Sequence, residues 1–254
     1  TIGLITTFWQ TLSRMTFSKF TFFMALAMAL SVGQTMSAAD LNQTRESYSA
    51  KVTKKYSYHY LKYLPKGYDG KKKFPLLLFL HGAGERGSDL EKVTKHGPPK
   101  LIKQGKQFPF IVISPQCPKD SWWDANALDA MLDQIIKTHA VDESRVYCTG
   151  LSMGGFGTWA LGGINPDRFA AFAPICGGGR WSDAFRMRQK PVWVFHGDAD
   201  KVVPLEESER MVKALKRRDA KPKFTIYKGV NHDSWTKTYN NPKLYEWFLS
   251  HKKE

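Results

Sequence analysis

The stretch Gly150-Leu151-Ser152-Met153-Gly154 matches the pattern G-x-S-x-G and continues into Gly155. It stands between an apolar run, Arg145 to Thr149, and a small-residue stretch, Gly154 to Gly163. A strand, a sharp turn and a helix in that order lift a serine hydroxyl on a strained backbone, and only small neighbours leave room for it. The helix N-terminus beyond favours negative charge developing at the turn. Such a hydroxyl attacks a carbonyl when an imidazole takes its proton and a carboxylate orients the imidazole.

In chains with this kind of elbow, the acid follows the serine and the base follows the acid. Two later turns qualify. After Pro191 to Phe195 comes His196-Gly197-Asp198-Ala199-Asp200-Lys201-Val202-Val203-Pro204, and after Phe224 to Tyr227 comes Gly229-Val230-Asn231-His232-Asp233. Both follow strand-like runs, so both belong at the rim where Ser152 stands. His232 is read as the base, because it alone among the histidines follows the acid at a strand exit. Asp200 is read as the acid, since Val202-Val203-Pro204 can seal it from water. Asp198 in the same turn is the alternative, and Asp233 is read as solvated. His59, His139 and His251 lie at the domain entrance, a helix end and the tail. His81 and His196 each precede a glycine at a strand end, where packing or bonding to loop backbone is the expectation; His96 is a loop residue within reach of the pocket.

Acyl transfer also needs donors for the oxyanion. The Met153 N–H follows from the elbow itself. The second is assigned to Ala83, with Gly84 as alternative, in the turn His81-Gly82-Ala83-Gly84 after Pro75 to Leu80. Trp122 and Trp123, with Trp181, are candidates for the acyl or alcohol pocket, although large aromatics more often fill cores. No Cys/His cluster has ligand spacing, so neither metal nor cofactor is expected. Cys117, Cys148 and Cys176 allow one disulfide whose pairing the sequence leaves open, and Cys148 reads as a core thiol.

The elements that must position these residues alternate. Strands are expected at Tyr56–Leu64, Pro75–Leu80, Phe110–Ser114, Arg145–Thr149, Ala170–Ile175, Pro191–Phe195 and Phe224–Tyr227. The runs PLLLFL and FIVIS are apolar throughout, as in strands buried on both faces. Helices are expected around Leu128–Ile136, Gly154–Gly163, Leu205–Arg218 and Leu244–Leu249; in the first, apolar residues recur every three and four positions. Strand–helix alternation of this kind indicates a mostly parallel sheet with helices on both faces, whose chemistry gathers at the carboxyl ends of the strands. The chain from Cys176 to Pro191 has room for only a short helix, so no large lid is expected.

The chain has 254 residues, 42% of them hydrophobic, which suits one domain with a buried core and excludes a disordered or multi-span membrane protein. Residues 1–39 read as a secretory signal with upstream residues, and 40–254 as the folded domain. Arg14 and Lys19 precede the apolar Phe20 to Val32, and the small residues of Ser37-Ala38-Ala39 suit cleavage before Asp40. Thirteen apolar residues are fewer than the roughly 20 that span a bilayer, so a stable membrane anchor is not expected. Met15 is a candidate initiator. The formal charge is +15; its lysines are scattered and not interleaved with aromatics, as a solvated exterior requires and a nucleic-acid platform does not. A secreted or periplasmic location follows from the signal.

The motifs LFLHGAGERG, HGPPKLI, SPQCP followed by Trp122-Trp123, GLSMGGFGTW, HGDADKVVP and GVNHDSW together resemble compact α/β-hydrolase esterases of the phospholipase/carboxylesterase and predicted-peptidase group, related to the prolyl oligopeptidase catalytic domain. The resemblance runs from about Tyr56 to Trp247. It implies the α/β-hydrolase fold, hydrolysis of carboxylic esters with a peptidase activity in some members, and an acid at the Asp preceding Lys201, which is Asp200. The expected partner is a small-molecule or polymer-linked ester. A peptidase or acyltransferase on the same residues is the alternative. A non-catalytic cell-wall module is disfavoured, because nucleophile, acid, base and oxyanion turn are all intact.

Overall fold

A computed structural model describes residues 46–51 and 53–253. The expected signal and cleavage point lie outside the described residues. The chain divides into residues 1–54 and 55–254; the described residues of the first part are exposed and form neither helix nor strand. No helix among the described residues is long and apolar enough to cross a membrane.

The second part is built on a seven-stranded sheet. Its strands are β1 (Tyr60–Tyr63), β2 (Phe74–Leu80), β3 (Ile111–Pro115), β4 (Val141–Leu151), β5 (Ala171–Ile175), β6 (Trp193–Gly197) and β7 (Lys223–Tyr227). They lie in the order β1-β3-β2-β4-β5-β6-β7. β1 runs antiparallel to β3 and every other pairing is parallel. The helices are α1 (Gly97–Lys103), α2 (Ala125–Thr138), α3 (Met153–Ile164), α4 (Trp181–Arg186), α5 (Leu205–Lys216), α6 (Ser234–Asn240) and α7 (Pro242–Leu249).

Period-two geometry splits the uniformly apolar β2 between two cores. Leu76, Leu78 and Leu80 join Trp159 of α3, Leu132 of α2 and Met211 of α5 on one face. Leu77 and Phe79 join Tyr239 of α6 and Tyr245 and Phe248 of α7 on the other. The helices therefore cover both faces, as the sequence predicts. Two helices, α1 and α6, go beyond the expected set. Pro98 and Pro99 fit the first turn of α1, where a missing N–H costs nothing. Asp233 opens α6 by accepting the Thr236 N–H at 3.0 Å.

β4 begins at Val141, before the expected Arg145, because Val141 pairs with Phe74 of β2; an irregularity at Asp142-Glu143-Ser144-Arg145 then precedes the regular pairing of Val146 with Leu76. β1 is shorter than Tyr56–Leu64. Between β5 and β6 stands only the six-residue α4. The sheet order places β3 on one side of β2 and β4 on the other. That change of direction opens a crevice at the carboxyl ends of β2 and β4.

Candidate active site

Ser152 stands at the carboxyl end of β4 with φ 51° and ψ −118°, conditions that an L-residue adopts only under constraint. Its N–H donates to the Ile175 carbonyl at 2.9 Å, and its carbonyl accepts the Phe156 N–H at 3.1 Å. The surrounding glycines are required by close approach. A Cβ on Gly154 would overlap the Leu80 carbonyl, and one on Gly150 would overlap the carbonyl of Gly154. The end of β2 is thereby pressed against the start of α3.

The three distant segments meet in one hydrogen-bonded row. The His232 Nε2 lies 2.9 Å from Ser152 Oγ, and its Nδ1 lies 2.7 Å from Asp200 Oδ2. A carboxylate can only accept, so Nδ1 carries the proton and Nε2 offers its lone pair to the serine hydroxyl. The Asp200 side chain is fully buried, while that of His232 is 18% exposed. Asp200 Oδ1 accepts the N–H groups of Val202 and Val203 at 2.9 and 3.0 Å. Burial pushes the Asp200 carboxyl up, but the hydrogen bonds from His232, Val203 and Val202 outweigh it and hold the group below its ordinary value. Asp198 is exposed and turned to the Gly229 N–H at 2.6 Å, so it ties the two loops together and does not reach the imidazole row. Asp233 caps α6. Trp235 meets the His232 ring edge to face at 5.1 Å and donates its indole N–H to His96 Nδ1 at 3.3 Å.

The turn after β2 is fixed by His81, which is fully buried. The Cys117 N–H donates to His81 Nε2 at 2.9 Å, so that nitrogen is unprotonated and Nδ1–H donates to the Gly82 carbonyl at 2.6 Å. Burial lowers the His81 pKa to about 4, which keeps this neutral tautomer. The His81 carbonyl accepts the Trp123 indole N–H at 3.1 Å. Beyond it, Ala83 is exposed at the start of a short 3-10 turn, Ala83–Glu85. A Cβ on Gly82 would lie 2.8 Å from the Leu151 side chain, so the turn abuts the elbow where Met153 begins α3. The carboxyl of Glu85 is buried under the same turn, and burial raises its pKa.

Trp122 and Trp123 have different surroundings. Trp123 is 8% exposed and its indole nitrogen is committed to His81, whereas Trp122 is 64% exposed and packs edge-on against Phe156. Both line an open, largely apolar cleft of about 310 Å³ with Phe156, Ala160 and Arg180. Phe156 lies one helical turn beyond the serine.

Cys176, Asp200 and His232 offer ligand atoms within 4.8 Å of one another. Asp200 and His232 are already bonded to each other, and burial pushes the Cys176 thiol up to about 12, so the set is poorly suited to a cation. All three cysteines are buried free thiols. Sequence reading assigned no role to Glu85 or to the contact of Trp235 with His232. Both residues lie inside motifs that carry the resemblance, LFLHGAGERG and GVNHDSW, but the position of neither within them signals chemistry.

Similarity to known proteins points the same way. Residues 180–254, which include Asp200 and His232, match the prolyl oligopeptidase family. The chain is 29% identical over 150 residues to the bifunctional acetylxylan esterase/xylanase XynS20E of Neocallimastix patriciarum, covering 55% of this chain and 21% of that protein. It is 46% identical over 55 residues to poly(3-hydroxyalkanoate) depolymerase C of Paucimonas lemoignei, covering 22% of this chain and 13% of that one. The chain thus spans a minor part of the length of both. A solved thermostable esterase superposes with a TM-score of 0.67 at 35% identity, over 76% of this chain and 59% of that structure. The fold is that of the α/β-hydrolases.

Proposed function

We propose that this α/β-hydrolase is an exported serine hydrolase that cleaves carboxylic esters through an acyl-enzyme intermediate. The observation that carries the reading is the row Ser152–His232–Asp200, with its 2.9 and 2.7 Å contacts. Ser152 Oγ bonds to the acyl carbon as its proton passes to His232 Nε2, and the carbonyl π pair moves onto oxygen. The N–H groups of Met153 and Ala83 are the donors proposed for that oxyanion. When the C–O bond breaks, the alkoxide leaves with the proton from His232. Water then repeats the sequence on the acyl-serine, giving the acid and free Ser152. Asp200 keeps the imidazole in the required tautomer throughout.

The open cleft beside Trp122 and Trp123 suits short acyl groups or acyl groups carried on a polymer, and the short α4 connection leaves no room for a lid between β5 and β6. Relatives named as a bifunctional acetylxylan esterase/xylanase and a poly(3-hydroxyalkanoate) depolymerase support an ester as the scissile bond. The export signal read at residues 1–39 supports a secreted or periplasmic enzyme. The match to the prolyl oligopeptidase family favours one second reading, peptide hydrolysis on the same residues.

A panel of p-nitrophenyl esters of rising chain length, run beside a peptide amide and an acetylated polysaccharide, separates these readings. Turnover of short esters, with fluorophosphonate labelling that disappears in Ser152→Ala, is expected. Faster cleavage of the amide would replace esterase by peptidase. No turnover and no labelling would leave only a binding module.

A further inference from the structure

Asp200 is held from a second side. The ring of His196, on β6, is fully buried and places Nε2 3.2 Å from Asp200 Oδ2, the oxygen that also receives His232. The same Nε2 lies 2.9 Å from the Val203 carbonyl. Its Nδ1 lies 2.7 Å from the hydroxyl of Ser208, which α5 buries completely, and that hydroxyl donates to the Gly177 carbonyl at 3.0 Å.

Counting protons decides what this arrangement is. Gly177 O, Val203 O and the Asp200 carboxylate can only accept. If His196 carried a proton on Nδ1 alone, the bare Nε2 would face two oxygens. If it carried one on Nε2 alone, Ser208 would have to serve both Nδ1 and Gly177 O with a single hydrogen. A proton on each ring nitrogen satisfies every contact: Nδ1–H donates to Ser208, Ser208 to Gly177 O, and Nε2–H to Val203 O and Asp200. A buried cation of this kind is tolerable only because each N–H has an acceptor and a carboxylate stands beside it.

We propose that His196 is a positioning residue for the hydrolase reaction, held doubly protonated by Ser208 and clamping the Asp200 carboxylate opposite His232. The inference rests on the reading of Asp200 as the acid of the row. The clamp joins the exits of β5 and β6 and the loop from Asp200 to Val203, so the carboxylate cannot rotate away when His232 takes the serine proton. Geometric precision of this sort contributes to kcat and leaves substrate binding alone.

Two measurements test it. In 15N-labelled wild-type protein, His196 should show two slowly exchanging ring N–H signals, both absent in His196→Asn. Ser208→Ala, which removes the far end of the clamp without touching Asp200, should lower kcat on a short p-nitrophenyl ester about tenfold or more with KM within about twofold. It should also shift the downfield His232 Nδ1–H resonance, which loss of packing alone would not single out. Ser208→Thr, keeping the hydroxyl, should recover most of the rate. A single ring proton on His196, or wild-type kcat in folded Ser208→Ala, overturns the proposal. Should Ser208→Ala fail to fold, the proton count on the wild type decides alone. An inactive wild type that still shows two His196 protons would sink the hydrolase reading and leave the doubly protonated His196 standing.

Discussion

Ser152 keeps its hydroxyl in reach of His232 because its backbone is held at a positive φ by glycines on either side. Two carboxylates two positions apart, Asp198 and Asp200, differ entirely in what they touch. Asp200 is buried against His232, and Asp198 is exposed against the Gly229 N–H. Asp200→Asn should therefore lower kcat by about 10⁴-fold through the wrong imidazole tautomer, while Asp198→Asn stays within about tenfold because it loosens only a loop tie worth about 1 kcal/mol. Steady-state rates on one short ester compare the two directly; a larger loss at Asp198 would reverse the assignment. The positions of Ser152, His232, Asp198 and Asp200 at strand exits were legible from order and spacing. The choice between the acids rested on neighbouring valines and a resemblance, because side-chain direction within a turn is not encoded in spacing.

At the scale of elements, the contact between β2 and α3 sets the distance between the turn proposed for the oxyanion and Ser152. Gly154→Ala places a methyl on the Leu80 carbonyl. Overpacking of this kind costs about 1–3 kcal/mol, and activity should fall by more than the urea midpoint implies, since the displaced turn carries Ala83. Phe248→Ala in α7 makes the opposite case. It empties a fully buried site far along the sheet and should cost about 3–5 kcal/mol while the folded enzyme keeps its kcat. Most strands were readable because burial on both faces demands apolar runs. The start of β4 was hidden because Val141 pairs with Phe74 by itself, ahead of the unpaired polar Asp142-Glu143-Ser144, and one pairing leaves no run to read. Helix α6, polar and short, has no periodicity to find, and only its Asp233 cap marks it.

For the whole molecule, acid stability is set by groups that bury a neutral or hydrogen-bonded form. His81 has a pKa near 4 in the fold, against 6.5 for the free side chain. Between those values the unfolded chain binds a proton that the folded one refuses. The stability His81 contributes is complete above pH 6.5 and is lost as pH falls to about 4, a span worth about 3 kcal/mol. Asp200, whose pKa is lowered, contributes above its ordinary value of 3.8 and loses that contribution below it. Tm should thus decline from pH 7 to 4.5, and His81→Gln should have a lower Tm at pH 7 but a shallower slope. An unchanged slope in calorimetry would mean that His81 titrates normally. The formal charge of +15 adds self-repulsion in the same direction.

The amino-acid sequence alone determined the sheet class, the strand–turn–helix position of Ser152, and the placement of Asp200 and His232 after strands, because each is a local pattern of size, polarity and spacing. Only the tertiary structure decided which carboxylate turns inward, which tryptophan stays exposed, and that Ser208 and His196 stand behind Asp200. Those contacts join residues from separate strand exits, and the distance between them is fixed by sheet register and helix packing, which no linear spacing records.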